Sequence, residues 1–312
     1  MNNLVLPKVL APAVLNPTIV GLLDGKVEWV SWEQPSEDIQ GIYCYGHRSV
    51  TAELMDACGQ LRVISNHGVG VDHIDLEAAR QRRIPVGNTP DVLNGAVADM
   101  TFALLLAAAR RLTEGERYAR DPQTTAFGIN DRHGRDVHGS TLGIIGMGKI
   151  GLEIAKRARG FDMKVLYHNR HPRKDLPADC PATYTTFEGL LQQSDFVVLM
   201  MPLTPDTYQL IGRRELAQMK PTATLVNIAR GGVVDTDALT EAMQAGQIFA
   251  AALDVTDPEP LPRDHPLLTM DRVTITPHLG SATVQTRRKM AELSVQNLLA
   301  GLSHQTLPSR IA

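Results

Sequence analysis

Scarcities narrow the field first. The 312 residues include three cysteines, Cys44, Cys58 and Cys180, which have neither metal-ligand spacing nor the even count of a disulfide framework. No metal site is therefore expected, and a reducing compartment is. Positive charge is not in excess, with 31 Lys and Arg against 34 Asp and Glu and a net charge of −3. Neither nucleic acid nor an anionic membrane surface is expected as a partner. No apolar run reaches the roughly 18 residues of a membrane span, because Asp99 interrupts the longest helical stretch. The first fifteen residues carry prolines and a single basic residue, Lys8, where a secretory leader has an unbroken apolar core. They read as a first strand and loop, and a cytoplasmic protein is the expectation.

The informative stretch is Ser140-Thr141-Leu142-Gly143-Ile144-Ile145-Gly146-Met147-Gly148-Lys149-Ile150-Gly151, which runs directly into an amphipathic segment to Ala158. Leu142, Ile144 and Ile145 read as a short buried strand, and Gly146, Gly148 and Gly151 fit G-x-G-x-x-G. In that context the glycines permit a tight turn, close approach of backbone to a pyrophosphate and helix–strand packing. The plainer alternatives are a glycine-rich turn that binds nothing and a methyltransferase-like sheet that holds another nucleotide.

The length favours two domains. Residues 1–95 alternate short apolar runs (4–10, 27–29, 41–44, 63–65 and 84–86) with helical segments at 51–58 and 76–82. Past the glycine turn, strands are expected at 163–167, 195–201, 224–228, 250–255 and 273–276, with helices at 187–193, 213–219 and 236–245. Residues 91–112 are apolar around most of a helical circumference, as in a helix buried between domains or subunits. Residues 113–138 are charged, lack a clear period and read as an arm or loop, and 283–299 as a closing helix. The expected class is α/β, two Rossmann-like or flavodoxin-like doubly wound parallel-sheet domains with an inter-domain cleft. Residues 1–95 with 285–312 would be the substrate-binding domain, and 96–284 the dinucleotide-binding domain.

In NAD-binding versions of this fold a carboxylate ends the second strand and binds the adenine ribose. Here Asn169 and Arg170 stand at that place, with Arg173 one turn on. Guanidinium groups suit a 2′-phosphate by charge and fork geometry, so NADP (as NADPH) is preferred, with NAD possible. The plain alternative is a pair of arginines solvating a surface turn.

Three ionisable residues each follow a strand of the second sheet: Arg230 in Asn227-Ile228-Ala229-Arg230-Gly231, Glu259 in Asp257-Pro258-Glu259-Pro260, and His278 in Pro277-His278-Leu279-Gly280. Singly they read as a surface charge, a turn residue and a capping neighbour. Together with Val69-Gly70-Val71-Asp72, Asn88-Thr89-Pro90-Asp91 and the glycine turn, they make the chain resemble the D-isomer-specific 2-hydroxyacid dehydrogenase family over essentially its whole length. The branch it is most similar to is that of glyoxylate/hydroxypyruvate reductases and their 2-ketogluconate reductase-like relatives.

That resemblance implies reduction of a small 2-oxo acid to the D-2-hydroxy acid. Arg230 would bind the substrate's carboxylate and carbonyl oxygen, His278 would deliver the proton, and Glu259 would pair with His278. The residue types suit the chemistry: hydride attack builds negative charge on the carbonyl oxygen, which a fixed guanidinium stabilises and an imidazolium can protonate. Val69 and Gly70 would hold the substrate carboxylate through backbone N–H groups. Implied cofactor contacts are Met147, Gly148, Lys149 and Ile150 at the pyrophosphate, Asn169, Arg170 and Arg173 at the adenosine end, and Pro202 near the adenosine. Ile228, Asp254 and Gly280 would lie toward the nicotinamide. A homodimer is implied as well.

Two departures stand out: the arm lacks the tryptophan of the vertebrate enzyme, and His67 precedes the substrate loop, either as a contact for a longer polar substrate or as a satisfied loop histidine. The rival readings are an NAD-dependent oxidiser of D-hydroxy acids or phosphoglycerate, and a dinucleotide-sensing interaction protein of the corepressor type.

Overall fold

The computed structural model describes residues 5–128 and 131–312. Its chain separates into two compact units, Met1–Leu93 with Thr283–Ala312, and Asn94–Ala282.

In the first unit β1 (Lys8–Ala11), α1 (Pro17–Leu23), β2 (Glu28–Ser31), β3 (Ile39–Cys44), α2 (Ala52–Ala57), β4 (Val63–Asn66), α3 (Leu76–Gln81) and β5 (Val86–Gly87) follow one another. The strands form one parallel sheet in the order β2-β1-β3-β4-β5, the flavodoxin-like arrangement. Its strands are apolar on both faces because both are covered. Leu10, Ile42, Cys44 and Ile64 pack under α2 and α3, while their alternates Val9, Ala11, Tyr43 and Val63 pack with α1 and the C-terminal helix. The sequence reading passes over α1, although its start signal is present: the Asn16 side chain accepts from the Thr18 N–H at 2.8 Å and Pro17 fills the first turn.

The second unit opens with α4 (Asn94–Ala109) and α5 (Leu112–Arg120), then runs β6 (Thr141–Ile145), α6 (Lys149–Ala158), β7 (Lys164–His168), β8 (Ala182–Tyr184), α7 (Phe187–Gln193) and β9 (Phe196–Leu199). It continues with α8 (Arg213–Leu216), β10 (Thr224–Asn227), α9 (Thr236–Gln244), β11 (Ala250–Leu253) and β12 (Val273–Ile275). All seven strands are parallel, in the order β12-β11-β10-β9-β6-β7-β8, the Rossmann order extended by one strand. The last helix, α10 (Val284–Leu302), returns to the first unit and packs on β3, β4 and β5.

One expectation changes here. Residues 113–138 are not wholly irregular, since α5 occupies their start; positions 129–130 of that stretch lie outside the described residues. The break between α4 and α5 is Arg111, in the left-handed region at φ 52, whose guanidinium grips Glu114 at 2.6 and 2.8 Å. Within its own unit α4 packs on α6 and on β10, β11 and β12. Among the described residues no helix is long and apolar enough to cross a membrane.

Candidate active site

β6 delivers the chain to the point where the order of the seven-stranded sheet reverses, between β6 and β9. There Gly146 turns at φ +104, and a Cβ on it would lie 2.5 Å from the Met200 carbonyl oxygen. A Cβ on Gly151 would meet the Gly146 oxygen at 2.6 Å, so the helix starts this close to the strand only without a side chain there. At Gly148 the space is open, with nothing within 4 Å. Gly148 is also the N-cap of α6 and brings no side-chain cap. Tight turn, open approach and uncapped helix start together fit a dinucleotide pyrophosphate.

The end of β7 is wired to this turn. The Met147 N–H donates to Asn169 Oδ1 at 2.7 Å, and Asn169 Nδ2 donates back to the Met147 carbonyl at 3.3 Å. Met147 itself is buried. Within the turn the Gly148 N–H likewise has an intramolecular partner, donating to the Gly146 carbonyl at 2.9 Å. Arg173 lies over the same turn, donating to the Met147 and Gly148 carbonyls at 3.4 and 3.3 Å. Its other nitrogens form a two-point pair with Asp175 at 2.8 and 2.7 Å. Arg170 is exposed beside it. Pro202, also exposed, follows β9, and its carbonyl accepts from Thr207 Oγ1 at 2.7 Å.

At the carboxyl ends of β10, β11 and β12 the three ionisable residues are positioned by their loops. Asn227 ends β10, donating through Nδ2 to the Arg230 carbonyl at 2.9 Å and accepting from the Ala229 N–H at 3.1 Å. Arg230 Nη1 donates to the Ala229 carbonyl at 2.8 Å. The next residue must be glycine: a Cβ on Gly231 would stand 1.9 Å from the Thr256 oxygen, so the Arg230 loop and the loop carrying Glu259 touch through backbone. Glu259 Oε1 lies 2.8 Å from His278 Nδ1. His278 holds a left-handed φ of 55, unusual for a residue with a side chain, while its N–H donates to the Asp254 carbonyl at 2.9 Å.

Asp254 organises the turn after β12. Buried to 1 % exposure, it accepts from Thr276 Oγ1 at 2.6 Å, from the Leu279 N–H at 2.7 Å and from the Gly280 N–H at 2.8 Å. Ile228 joins it: a Cβ on Gly280 would lie 3.1 Å from Asp254 Oδ2 and 3.7 Å from Ile228 Cγ1. Thr276 escapes the sequence reading; a hydroxyl that closes a hydrogen bond to a residue twenty-two positions away has no local signature.

In the first unit, Val69 and Gly70 lie on the loop after β4. Asn66 Nδ2 donates to the Gly68 and Gly70 carbonyls at 3.0 and 2.8 Å, and Asn88 Nδ2 to the Val69 carbonyl at 3.0 Å. With three successive carbonyls engaged, the loop's remaining backbone chemistry is its N–H edge, as anion binding requires. His67 is the satisfied loop histidine of the two readings. It is buried, with Nδ1 3.2 Å from both Tyr43 Oη and Ser294 Oγ, and those two oxygens are 2.6 Å apart.

Burial, with a smaller contribution from the Arg287 charge, lowers the His67 pKa to about 4 from an ordinary 6.5. The fold therefore favours the neutral ring. This contribution to stability is complete above pH 6.5 and is lost as pH falls toward 4, because the unfolded chain then binds a proton that the folded chain refuses. Urea unfolding is expected to show roughly 2 kcal/mol less stability at pH 5 than at pH 7 from this group. His67→Gln should flatten that part of the difference, and an unchanged pH slope in the variant would remove His67 as its source.

Known proteins resemble the chain throughout. Residues 102–280 match the family model described as D-isomer specific 2-hydroxyacid dehydrogenase, NAD binding domain. The glyoxylate reductase of Thermococcus onnurineus (strain NA1) is 39% identical over 320 residues, covering 98% of this chain and 96% of its own. That of Korarchaeum cryptofilum (strain OPF8) is 46% identical over 252 residues, 80% of this chain and 76% of its own. Among solved structures, the NADPH-dependent glyoxylate/hydroxypyruvate reductase from Sinorhizobium meliloti, in complex with NADP and malonate, has a TM-score of 0.89 at 34% identity and covers 98% of this chain and 97% of its own. A protein from Thermus thermophilus also reaches 0.89, at 44% identity over 98% of this chain and 100% of its own.

Proposed function

The chain belongs to the D-isomer specific 2-hydroxyacid dehydrogenase family and is an NAD(P)-dependent oxidoreductase, and from that premise we propose that it reduces a small 2-oxo acid to the D-2-hydroxy acid with NADPH. Glyoxylate and hydroxypyruvate are the leading substrates, in keeping with the names of its relatives, and 2-ketogluconate is the third. The observation that carries this reading is the Glu259–His278 contact of 2.8 Å at the carboxyl edge of the sheet that also bears the open glycine turn.

Met147, Gly148, Lys149 and Ile150 hold the dinucleotide pyrophosphate in this reading, Arg170 and Arg173 the 2′-phosphate, and Pro202 borders the adenosine. Asn169 acts by fixing the turn. Ile228, Asp254 and Gly280 shape the nicotinamide end. The bound dinucleotide supplies the hydride. Arg230 holds the substrate carboxylate and stabilises charge on the carbonyl oxygen, and His278, oriented through Nδ1 by Glu259, delivers the proton from its other nitrogen. Val69 and Gly70 contribute backbone N–H groups to the carboxylate. A cytoplasmic homodimer completes the proposal; exposed Leu112 and Phe127 support it by offering apolar surface.

The experiment is initial-rate oxidation of NADPH and of NADH with each of the three 2-oxo acids. Turnover with NADPH ahead of NADH is expected, and no oxidation of either cofactor while both bind would shift the reading to a dinucleotide-sensing interaction protein. Asp175 is the observation on the side of NADH, since it already neutralises Arg173. Arg170 then carries the phosphate preference. Arg170→Asp is expected to raise the Michaelis constant for NADPH about tenfold or more, on the scale of about 1.5–3 kcal/mol for a charged hydrogen bond; unchanged NADPH kinetics would refute its assignment.

A further inference from the structure

We propose that His47, Asp72 and His73 form a binding site for one transition-metal dication of the zinc class on the first unit, apart from the residues assigned to the reaction.

The backbone brings the three together. Beyond β3 the chain bends at Gly46, at φ +87, and presents His47. Beyond β4 the Ile74 N–H donates to the Val71 carbonyl at 2.9 Å, closing a turn with Asp72 and His73 as its two central residues. On a strand adjacent side chains point to opposite faces, whereas here both project from one tip. The two loops are tied just behind that tip. The Val50 N–H donates to the His73 carbonyl at 2.8 Å, the Asp75 N–H to the Val50 carbonyl at 2.9 Å, and Val50 and Ile74 form a buried bridge. As a result one ligand atom from each of His47, Asp72 and His73 lies within 4.8 Å of the other two. The two imidazoles meet edge to face with ring centres 5.5 Å apart.

The donor set selects the ion. Two imidazoles and one carboxylate suit Zn²⁺, Co²⁺, Ni²⁺ or Cu²⁺, whereas Mg²⁺ and Ca²⁺ require oxygen ligands. Metal–ligand bonds of about 2.0–2.1 Å place tetrahedral ligands about 3.3 Å apart, so the side chains must draw together slightly. The ring nitrogens of His73 are buried, whereas His47 and Asp72 are exposed and have room to close on it, with water completing the coordination. The neighbouring cation is turned elsewhere: Arg48 Nη1 donates to Glu33 at 2.6 Å and its guanidinium lies over the Trp32 ring. His47 stands far from Asp72 and His73 in sequence, which is why spacing alone suggested no metal site.

The test is equilibrium dialysis of the chelator-treated full chain against Zn²⁺. One Zn²⁺ per chain is expected, with affinity falling at least about tenfold in His47→Ala and in His73→Ala and unchanged in Cys180→Ser. Absence of saturable binding, or binding that both histidine variants retain, would overturn the site. Should either variant fail to fold, the Co²⁺ spectrum of the unaltered chain decides: ligand-field bands without thiolate charge transfer support the histidine–carboxylate set, and a thiolate band or the spectrum of free aqueous Co²⁺ overturns it.

Discussion

Replacing His278 by alanine is expected to lower turnover at least about a hundredfold while leaving NADPH binding intact, the usual scale of a lost general acid being about 10²–10⁴. The side chain is half-exposed and held through Nδ1 on Glu259, so little packing is removed with it. One backbone effect needs its own control. His278 sits at φ 55, a region in which histidine and asparagine are enriched, so alanine also loses some backbone preference that has nothing to do with proton transfer. His278→Asn separates the two, because asparagine tolerates that region but cannot supply the proton. Both variants should lose turnover alike. Near-normal rates in either would take His278 out of the mechanism, and Glu259→Gln should fall between them and the unaltered chain.

The second large effect is expected at Arg230. Its guanidinium is held by the bond from Nη1 to the Ala229 carbonyl, and its backbone by Asn227 gripping the Arg230 carbonyl. Arg230→Gln should reduce kcat/KM by roughly 10²–10³, the cost of losing one preorganised donor to a developing oxyanion. Arg230→Lys keeps the charge but not the fork, and a partial loss with a raised KM is expected from it. Steady-state kinetics with glyoxylate and hydroxypyruvate read both numbers. Should Arg230→Gln leave kcat and KM unchanged, the guanidinium is a surface charge and the substrate is held elsewhere.

Much of this was legible before any coordinates. The strand–glycine–helix passage at Thr141–Ala158 is local: its glycine spacing, its apolar strand and its amphipathic helix are all properties of neighbouring residues. The same holds for the alternation of strands and helices, since covered parallel strands must be apolar on both faces. What escaped was short or charged. β8 has three residues, too few for a pattern, and α5 is anchored by Arg111 and Glu114 rather than by an apolar stripe.

Sequence alone therefore determined the two-sheet class, the dinucleotide turn and the residue types available for hydride-transfer chemistry, because each follows from local spacing and hydrophobic period. Tertiary structure alone decided which of those residues meet. Strand order sets the loops after β10, β11 and β12 side by side, so that Gly231 touches the Thr256 backbone, Glu259 reaches His278 and Asp254 gathers the turn at Gly280. The same folding spends the Met147 amide on Asn169 and collects His47 with Asp72 and His73. These are encounters between residues far apart in the chain, and their geometry is set by the order of the strands in each sheet, which no local pattern encodes.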